Sequence, residues 1–468
     1  DIPDLQYLRI GDVVEATGPI IETDSGETSV NLSDLRFLSK ALRHVSFDES
    51  LSTSRQRADR TRALLTSDLQ DVLETRFEIT RVIRSRLDEW GYDEVTTPVI
   101  QSTHSGGSSR PFVVTPEVDG RRFLRATMEI EMKSLIAGGY DRVFQVGQIF
   151  RNEGIDRANH PIKSVLELYE TFADYDDMMD LTERLLRVVF DAVDLGPAFE
   201  YDGTPVDTSA EWPRLPIDLA TERYGDVEVS GAADDELLDI ATERSPDDRV
   251  FESSGGALYH LFETTAAPNI DDPTFVVDHP KRSSPLCAEH RTDPDRIERG
   301  GLWVAGMKVA DTATEATDPV YQRERLVEQA RRQNREEIND LLVRSLSRGM
   351  PPTGGLGIGI GRLATPATDA GSVRAGMPFV PREGAASHPT GGVPCPGGGG
   401  AFPVRRGGFD TTPISVREPR SITVANVSRG CSAVTKHYCG CRRTQPASQL
   451  SAFGDAKSVN LSTRSIVS

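Results

Sequence analysis

The stretch from Phe144 to Tyr175, FQVGQIFRNEGIDRANHPIKSVLELYETFADY, constrains this chain more than any other. Apolar and polar residues alternate with period two on both sides of a loop rich in Asn, Asp, Gly and His, which predicts an antiparallel hairpin with a long tip. Phe144, Val146, Gln148 and Phe150 fall on one face of the first strand. In the second, Glu167, Tyr169 and Thr171 lie opposite Leu166, Leu168, Glu170 and Phe172, so an acid and a phenol stand side by side over whatever the hairpin lines. Arg151 stands where the first strand ends.

At 468 residues the chain has room for two or three domains. Its 53 Lys and Arg against 72 Asp and Glu give a net charge of −19, which argues against a generally basic RNA-binding surface and leaves room for a local basic track. No run of eighteen apolar residues occurs and no basic leader precedes an apolar block, so a soluble cytoplasmic protein without a membrane partner is expected. The sequence begins at Asp1, and the expectation is that its true start lies upstream or was removed. Of five cysteines only Cys431, Cys439 and Cys441 cluster, near His437; without a CxxC pair they read as unrelated thiols rather than a metal site.

Taken in order, residues 11–43 alternate through two strands joined at Asp24-Ser25-Gly26, a hairpin turn signal. After a charged linker, Ser67 and Asp68 offer an N-cap, and Val72, Ile79, Ile83, Leu87 and Trp90 recur at helical spacing until Gly91. A strand from Asp93 to Ile100 follows, then a Gly/Ser loop from His104 to Phe112, then a strand leading into a helix that carries Glu129. An amphipathic helix spans Asp176 to Val193, residues 200–270 are acidic and irregular, and 273–280 form an apolar strand. GLWVAGMKVADTATEATDP reads as one strand whose Asp311, Ala313 and Glu315 share a face, and Asp318-Pro319 caps a charged helical region to about Ser347. Alternate glycines at 355, 357, 359 and 361 precede Arg362, and from about 385 periodicity is lost in a basic, Gly- and Cys-rich tail that reads as disordered.

FRNEGI followed by LELY and ADY resembles motif 2 of class II aminoacyl-tRNA synthetases, in the version typical of the lysyl-tRNA synthetase family. YDEVTTPVI is similar to motif 1, in which Pro98 would sit at a homodimer interface, and PPTGGLGIGIGRLA is similar to motif 3. The resemblance implies an α+β fold, an antiparallel sheet flanked by helices and preceded by a partial OB-fold β-module. It divides the chain into that module at 1–47, a linker at 48–66, a catalytic domain at 67–384 and the tail at 385–468.

The same resemblance implies activation of lysine by ATP and transfer of the lysyl group to tRNA. Arg151 would clamp the α-phosphate and the lysine carboxylate, Arg362 the γ-phosphate, Glu153 the adenine side, with Gly357 and Gly359 against the nucleotide. Lysine would be held by Gly106 in the mobile loop, by Glu129 at its α-ammonium and by Glu167, Tyr169 and Glu315 at its ε-ammonium. Mg²⁺ is expected from the family, yet the two glutamates that hold it align with Gly301 and Lys308, so no metal ligand is assigned. The Phe that stacks on adenine is Lys163, an adjacent acid is Ile162, an Asn and an aromatic beside the lysine pocket are Asp311 and Ala313, and Gly361 replaces an Asp before Arg362. Pro366 falls inside the motif 3 helix, at a cost of about 3 kcal/mol unless it lies in the first turn. Three readings follow: a lysine–tRNA ligase, a catalytically impaired paralogue that still binds lysine, and a ligase that lysylates protein.

Overall fold

The computed structural model describes residues 7–24, 26, 28–42, 51–104, 109–115, 117, 120–245, 250–333 and 338–380, with the backbone of Ser465–Ile466. Gly106, the cysteine cluster and nearly all of the tail lie outside the described residues. The chain forms two units, one of Asp1–Ser67 with Pro381–Ser468 and one of Asp68–Val380. Among the described residues no helix is long and apolar enough to cross a membrane.

In the first unit the two expected strands are four. These are β1 (Val13–Thr17), β2 (Ile20–Glu22), β3 (Thr28–Val30) and β4 (Asp34–Ser39), with β1 pairing β4 and β2 pairing β3, all antiparallel. Gly18-Pro19 divides the first run: a Cβ on Gly18 would lie 1.9 Å from the Asn31 carbonyl oxygen, so only glycine allows this close return of the chain. Asp12 anchors the module's end, accepting the Ala41 N–H at 2.8 Å and pairing with Lys40 at 2.5 Å. The segment expected as linker contains two short helices, Thr53–Ala58 and Arg60–Ala63.

The second unit is built on one eight-stranded sheet. In chain order its parts are α1 (Ser67–Glu89), β5 (Asp93–Glu94), α2 (Glu129–Ala137), β6 (Arg142–Phe150), β7 (Ile162–Thr171), α3 (Tyr175–Ala192), β8 (Arg214–Pro216), α4 (Ser254–Leu261), β9 (Thr274–Val277), β10 (Arg299–Val304), β11 (Met307–Thr314), β12 (Thr353–Gly359) and α5 (Ile360–Ala367). The spatial order is β8-β9-β10-β11-β12-β7-β6-β5. The central six strands are antiparallel and the two outermost pairings are parallel. This is the expected α+β arrangement, an antiparallel sheet flanked by helices.

One face of the sheet is apolar. Leu166 and Leu168 of β7, Leu356 and Ile358 of β12, and Leu302 and Val304 of β10 pack with Ile79, Ile83 and Leu87 of α1 and with Leu185, Leu186 and Val189 of α3 in the main core. A capping box fixes the start of α3, Asp174 accepting from the Asp177 N–H while the Asp177 side chain accepts from the Asp174 N–H. Gly91, at φ +83°, ends α1 and lets the Tyr92 N–H donate back to the Leu87 carbonyl at 3.0 Å.

Several expectations need correction. The strand predicted from Asp93 to Ile100 stops at Glu94 and resumes only at Ile100–Gln101 in a separate small sheet. Pro98 has no N–H for a ladder, and Thr97 gives its N–H and hydroxyl to the Gln145 side chain, at 3.1 and 2.8 Å. GLWVAGMKVADTAT is a hairpin, β10 and β11, because Ala305 and Gly306 both take positive φ, 52° and 70°. Residues 200–270 hold a strand pair (Ala198–Tyr201 with Thr204–Asp207), β8, helices Ile217–Gly225 and Asp234–Arg244, and α4. Ile217, Leu258 and Phe262 of this region build a second core with Trp303 of β10. The charged helical region divides into Pro319–Arg332 and Asp340–Leu346. Pro366 lies next to the end of α5, in its last turn rather than its first, and α5 stops at Ala367.

Candidate active site

The second face of the sheet is polar, and strand register decides which residues meet there. Gly301, Asp311, Gly357, Glu167 and Gln145 lie directly opposite one another across β10, β11, β12, β7 and β6. Arg299, Ala313, Gly355, Tyr169 and Val143 form the next row. Directly opposed residues point to the same side, so this row structure brings distant parts of the sequence over one cavity of about 630 Å³. Its lining includes Glu129, Arg151, Glu153, Glu167, Tyr169, Glu315, Gly357, Gly359 and Arg362, nine of the expected site residues. Pro98 lies elsewhere, exposed beside Val99 and Ile100.

One end is acidic. Glu167, 9% exposed, accepts from the Thr127 hydroxyl at 3.1 Å and from the Met128 N–H at 3.2 Å, at the entrance to α2. Burial, then repulsion from Glu129, pushes its carboxyl up to about 7. Burial together with Glu129, Glu167 and Glu315 drives the Tyr169 phenol far upward, so it stays a neutral donor. Gly355 makes this packing feasible, since a Cβ there would lie 1.9 Å from Glu315 Oε1 and 2.9 Å from Tyr169 Cε1.

Lys133 belongs to this end and was missed in the sequence. Its side chain is wholly buried, donates to Glu129 Oε1 at 2.7 Å and pairs with Glu315. Burial pushes the Glu315 carboxyl up while the Lys133 ammonium opposes it, and the two carboxylates together outweigh the burial of Lys133 and hold it charged. A signal was present: Glu129 and Lys133 are four apart on a helix whose other inward residues, Ile130, Met132 and Ile136, are apolar. Tyr259, Glu263 and Cys287 also line the cavity, brought by the region that looked irregular in sequence and by the loop before β10.

The other end is cationic. Arg151 follows β6 and donates from Nε to the Ala126 carbonyl at 3.1 Å. Arg362, at the start of α5, reaches the hairpin tip, donating to the Ala158 carbonyl at 3.1 Å and the Asn159 side chain at 2.8 Å, and to the Lys308 carbonyl at 3.3 Å. All these acceptors are neutral. The tip is itself fixed by Asp156, which accepts the N–H groups of Ala158 and Asn159, both at 2.7 Å. Lys163 pairs with Glu153 at 3.2 Å. Arg299 grips Asp311 in a two-point contact, 3.0 and 2.7 Å, and Lys308 donates to the same carboxylate at 2.8 Å.

These residues do not fit Mg²⁺. A hard divalent cation needs oxygen ligands, whereas a Cβ on Gly301 would lie 2.4 Å from the Trp303 ring and 2.9 Å from Lys308 Cε. Trp303 and the Lys308 stem fill the place an acid at 301 would use, and the Asp311 carboxylate is engaged by two cations. Among the described residues no group of three or more His, Cys, Asp or Glu is arranged to hold a metal ion.

Comparison with known proteins agrees with the motifs. The family described as tRNA synthetases class II (D, K and N) matches residues 52–383. The lysine--tRNA ligase of Thermoanaerobacter sp. (strain X514) is 33% identical over 382 residues, covering 79% of this chain and 76% of the relative. That of Carboxydothermus hydrogenoformans is 34% identical over 383 residues, covering 79% and 78%. A third, from Thermosynechococcus vestitus, is 34% identical over 383 residues, covering 79% and 76%.

Proposed function

The chain belongs to the class II tRNA synthetases of the D, K and N type, and we propose that its cavity binds lysine and ATP and joins them as lysyl-adenylate for transfer to tRNA. The observation that carries this reading is a charge balance. Three carboxyl groups, Glu129, Glu167 and Glu315, meet at the acidic end with one internal ammonium, Lys133, which pairs with Glu129 and Glu315, so two carboxyl groups are left without a cation of their own. Lysine brings two ammonium groups. Its carboxylate, the remaining charge, would turn toward Arg151 at the cationic end of the same cavity. An unmatched buried carboxylate is costly, so a ligand that supplies the missing cations is favoured over a neutral amino acid.

In the proposed reaction a lysine carboxylate oxygen attacks the α-phosphorus of ATP, the bond from that phosphorus to the bridging oxygen breaks, and pyrophosphate leaves. Arg151 holds the carboxylate and the α-phosphate together, and Arg362 neutralises the terminal phosphate, so the protein acts by positioning and by charge. The domain boundaries at 47, 66 and 384, a homodimer contact through the exposed Pro98 segment, and a cytoplasmic setting belong to the same proposal.

A second reading, a lysine-binding paralogue that no longer catalyses, is favoured by the Lys163–Glu153 pair, which lies where the family places a ring under adenine. Lysine-dependent exchange of pyrophosphate into ATP separates the two. Exchange that is abolished by Arg151→Ala supports the ligase, and Glu315→Gln should relax its preference for lysine. Calorimetric binding of lysine by a folded chain that shows no exchange would leave only the second reading.

A further inference from the structure

The cationic end of the cavity is rebuilt as well as altered. Where the family resemblance calls for an acid at 308, an ammonium stands on the sheet, its side chain 17% exposed. Among the described residues only one of its three N–H groups is engaged by a hydrogen bond, to Asp311. The Trp303 ring lies 5.2 Å from Lys308 Nζ and fixes the stem from the Gly301 side. Lys163, 20% exposed, lines the same end, and neither Arg151 nor Arg362 is paired with a carboxylate among the described residues. The cations feel one another: after burial, Arg151 is the next cause depressing both Lys163 and Arg362, and Arg299 the next depressing Lys308. Such crowding of like charge around an open cavity is relieved by an anion.

We propose that this end of the cavity binds the phosphate chain of a nucleoside triphosphate without a protein-held divalent metal, the Lys308 ammonium supplying the positive charge in the metal's place. The inference rests on the ATP-binding part of the proposed function and specifies how the phosphates are held. Four cations, Arg151, Lys163, Lys308 and Arg362, then share the phosphate oxygens, and the Arg299–Asp311 contact holds Lys308 in position from beneath. An ammonium is a point charge with rotatable donors, which suits an oxyanion and cannot coordinate a metal.

The test is calorimetric titration of the full chain with ATP and, separately, with inorganic tripolyphosphate, each in EDTA and in Mg²⁺. Both ligands are expected to bind in EDTA, with affinity for ATP no more than about twofold better in Mg²⁺. In EDTA, Lys308→Gln should weaken both by at least about tenfold while Lys308→Arg retains most of the affinity. Should Lys308→Gln not fold, Lys163→Ala, at a partly exposed position, is expected to weaken tripolyphosphate severalfold in the same buffer. ATP that binds in Mg²⁺ and not in EDTA overturns the proposal, as does unchanged affinity in a folded Lys308→Gln. Pyrophosphate exchange on the same sample separates the two levels: exchange without binding in EDTA defeats this inference alone, and binding in EDTA without exchange defeats the ligase reading alone.

Discussion

At the residue scale, strand alternation made the faces of Glu167 and Glu315 legible, the family motifs alone pointed to Glu129 and to the acids' roles, and Lys133 was not legible because its partner Glu315 lies 182 positions away. Only the fold closes that ion pair. Glu167 has the clearest consequence. Its carboxyl titrates near 4.5 when unfolded and near 7 when folded. Between those values the folded chain keeps a proton that the unfolded chain has released, so stability should fall as pH rises from about 4.5 to about 7 and level off above. The full effect is roughly 3 kcal/mol at about 1.4 kcal/mol per unit, and thermal melts of the unliganded protein across that range check it. Lysine binding should run the other way, strengthening about tenfold from pH 6 to pH 8 as Glu167 ionises. In Glu167→Gln, calorimetry should find weak binding with that dependence reduced to the part Glu315 carries; an unaltered pH profile would remove Glu167 from the lysine site.

At the element scale, the hairpin of β6 and β7, the helix α3 and the α2 entry follow from period, caps and turn residues in the sequence. The β10–β11 turn did not, because Ala305 and Gly306 adopt a two-residue turn that an Ala-Gly pair signals less strongly than Asn-Gly. The region from 200 to 270 escaped for another reason: its helices are short and bury their apolar residues against Trp303 and β9, so their pattern makes sense only with the partner present. Two substitutions test elements directly. Asp174→Ala removes the capping box of α3 and should cost about 1 kcal/mol, seen as a drop of about 2 °C in Tm. Gly355→Ala forces a methyl group against Glu315 and Tyr169, and should cost about 1–3 kcal/mol and weaken lysine binding, read by denaturation and calorimetry. A stable Gly355→Ala chain with full lysine affinity would contradict the packing described for that row.

At the scale of the whole molecule, one cavity carries opposite charge at its two ends within a chain of net charge −19. The sheet register sets part of that polarity, placing Glu167 and Asp311 in one row and Arg299 in the next on the same face, while Arg151 and Arg362 enter from the end of β6 and the start of α5. Overall self-repulsion should be relieved by screening, so Tm is expected to rise when salt is increased from about 0.1 M toward 1 M, where the Debye length shrinks to about 3 Å. The central claim, that the acidic end is shaped for the two ammonium groups of lysine, is tested most directly by titrating the full chain with lysine and with norleucine, which has the same carbon skeleton and no ε-ammonium. One lysine should bind per chain and norleucine at least about a hundredfold more weakly; equal affinity for the two would show that the acidic end does not recognise the ε-ammonium.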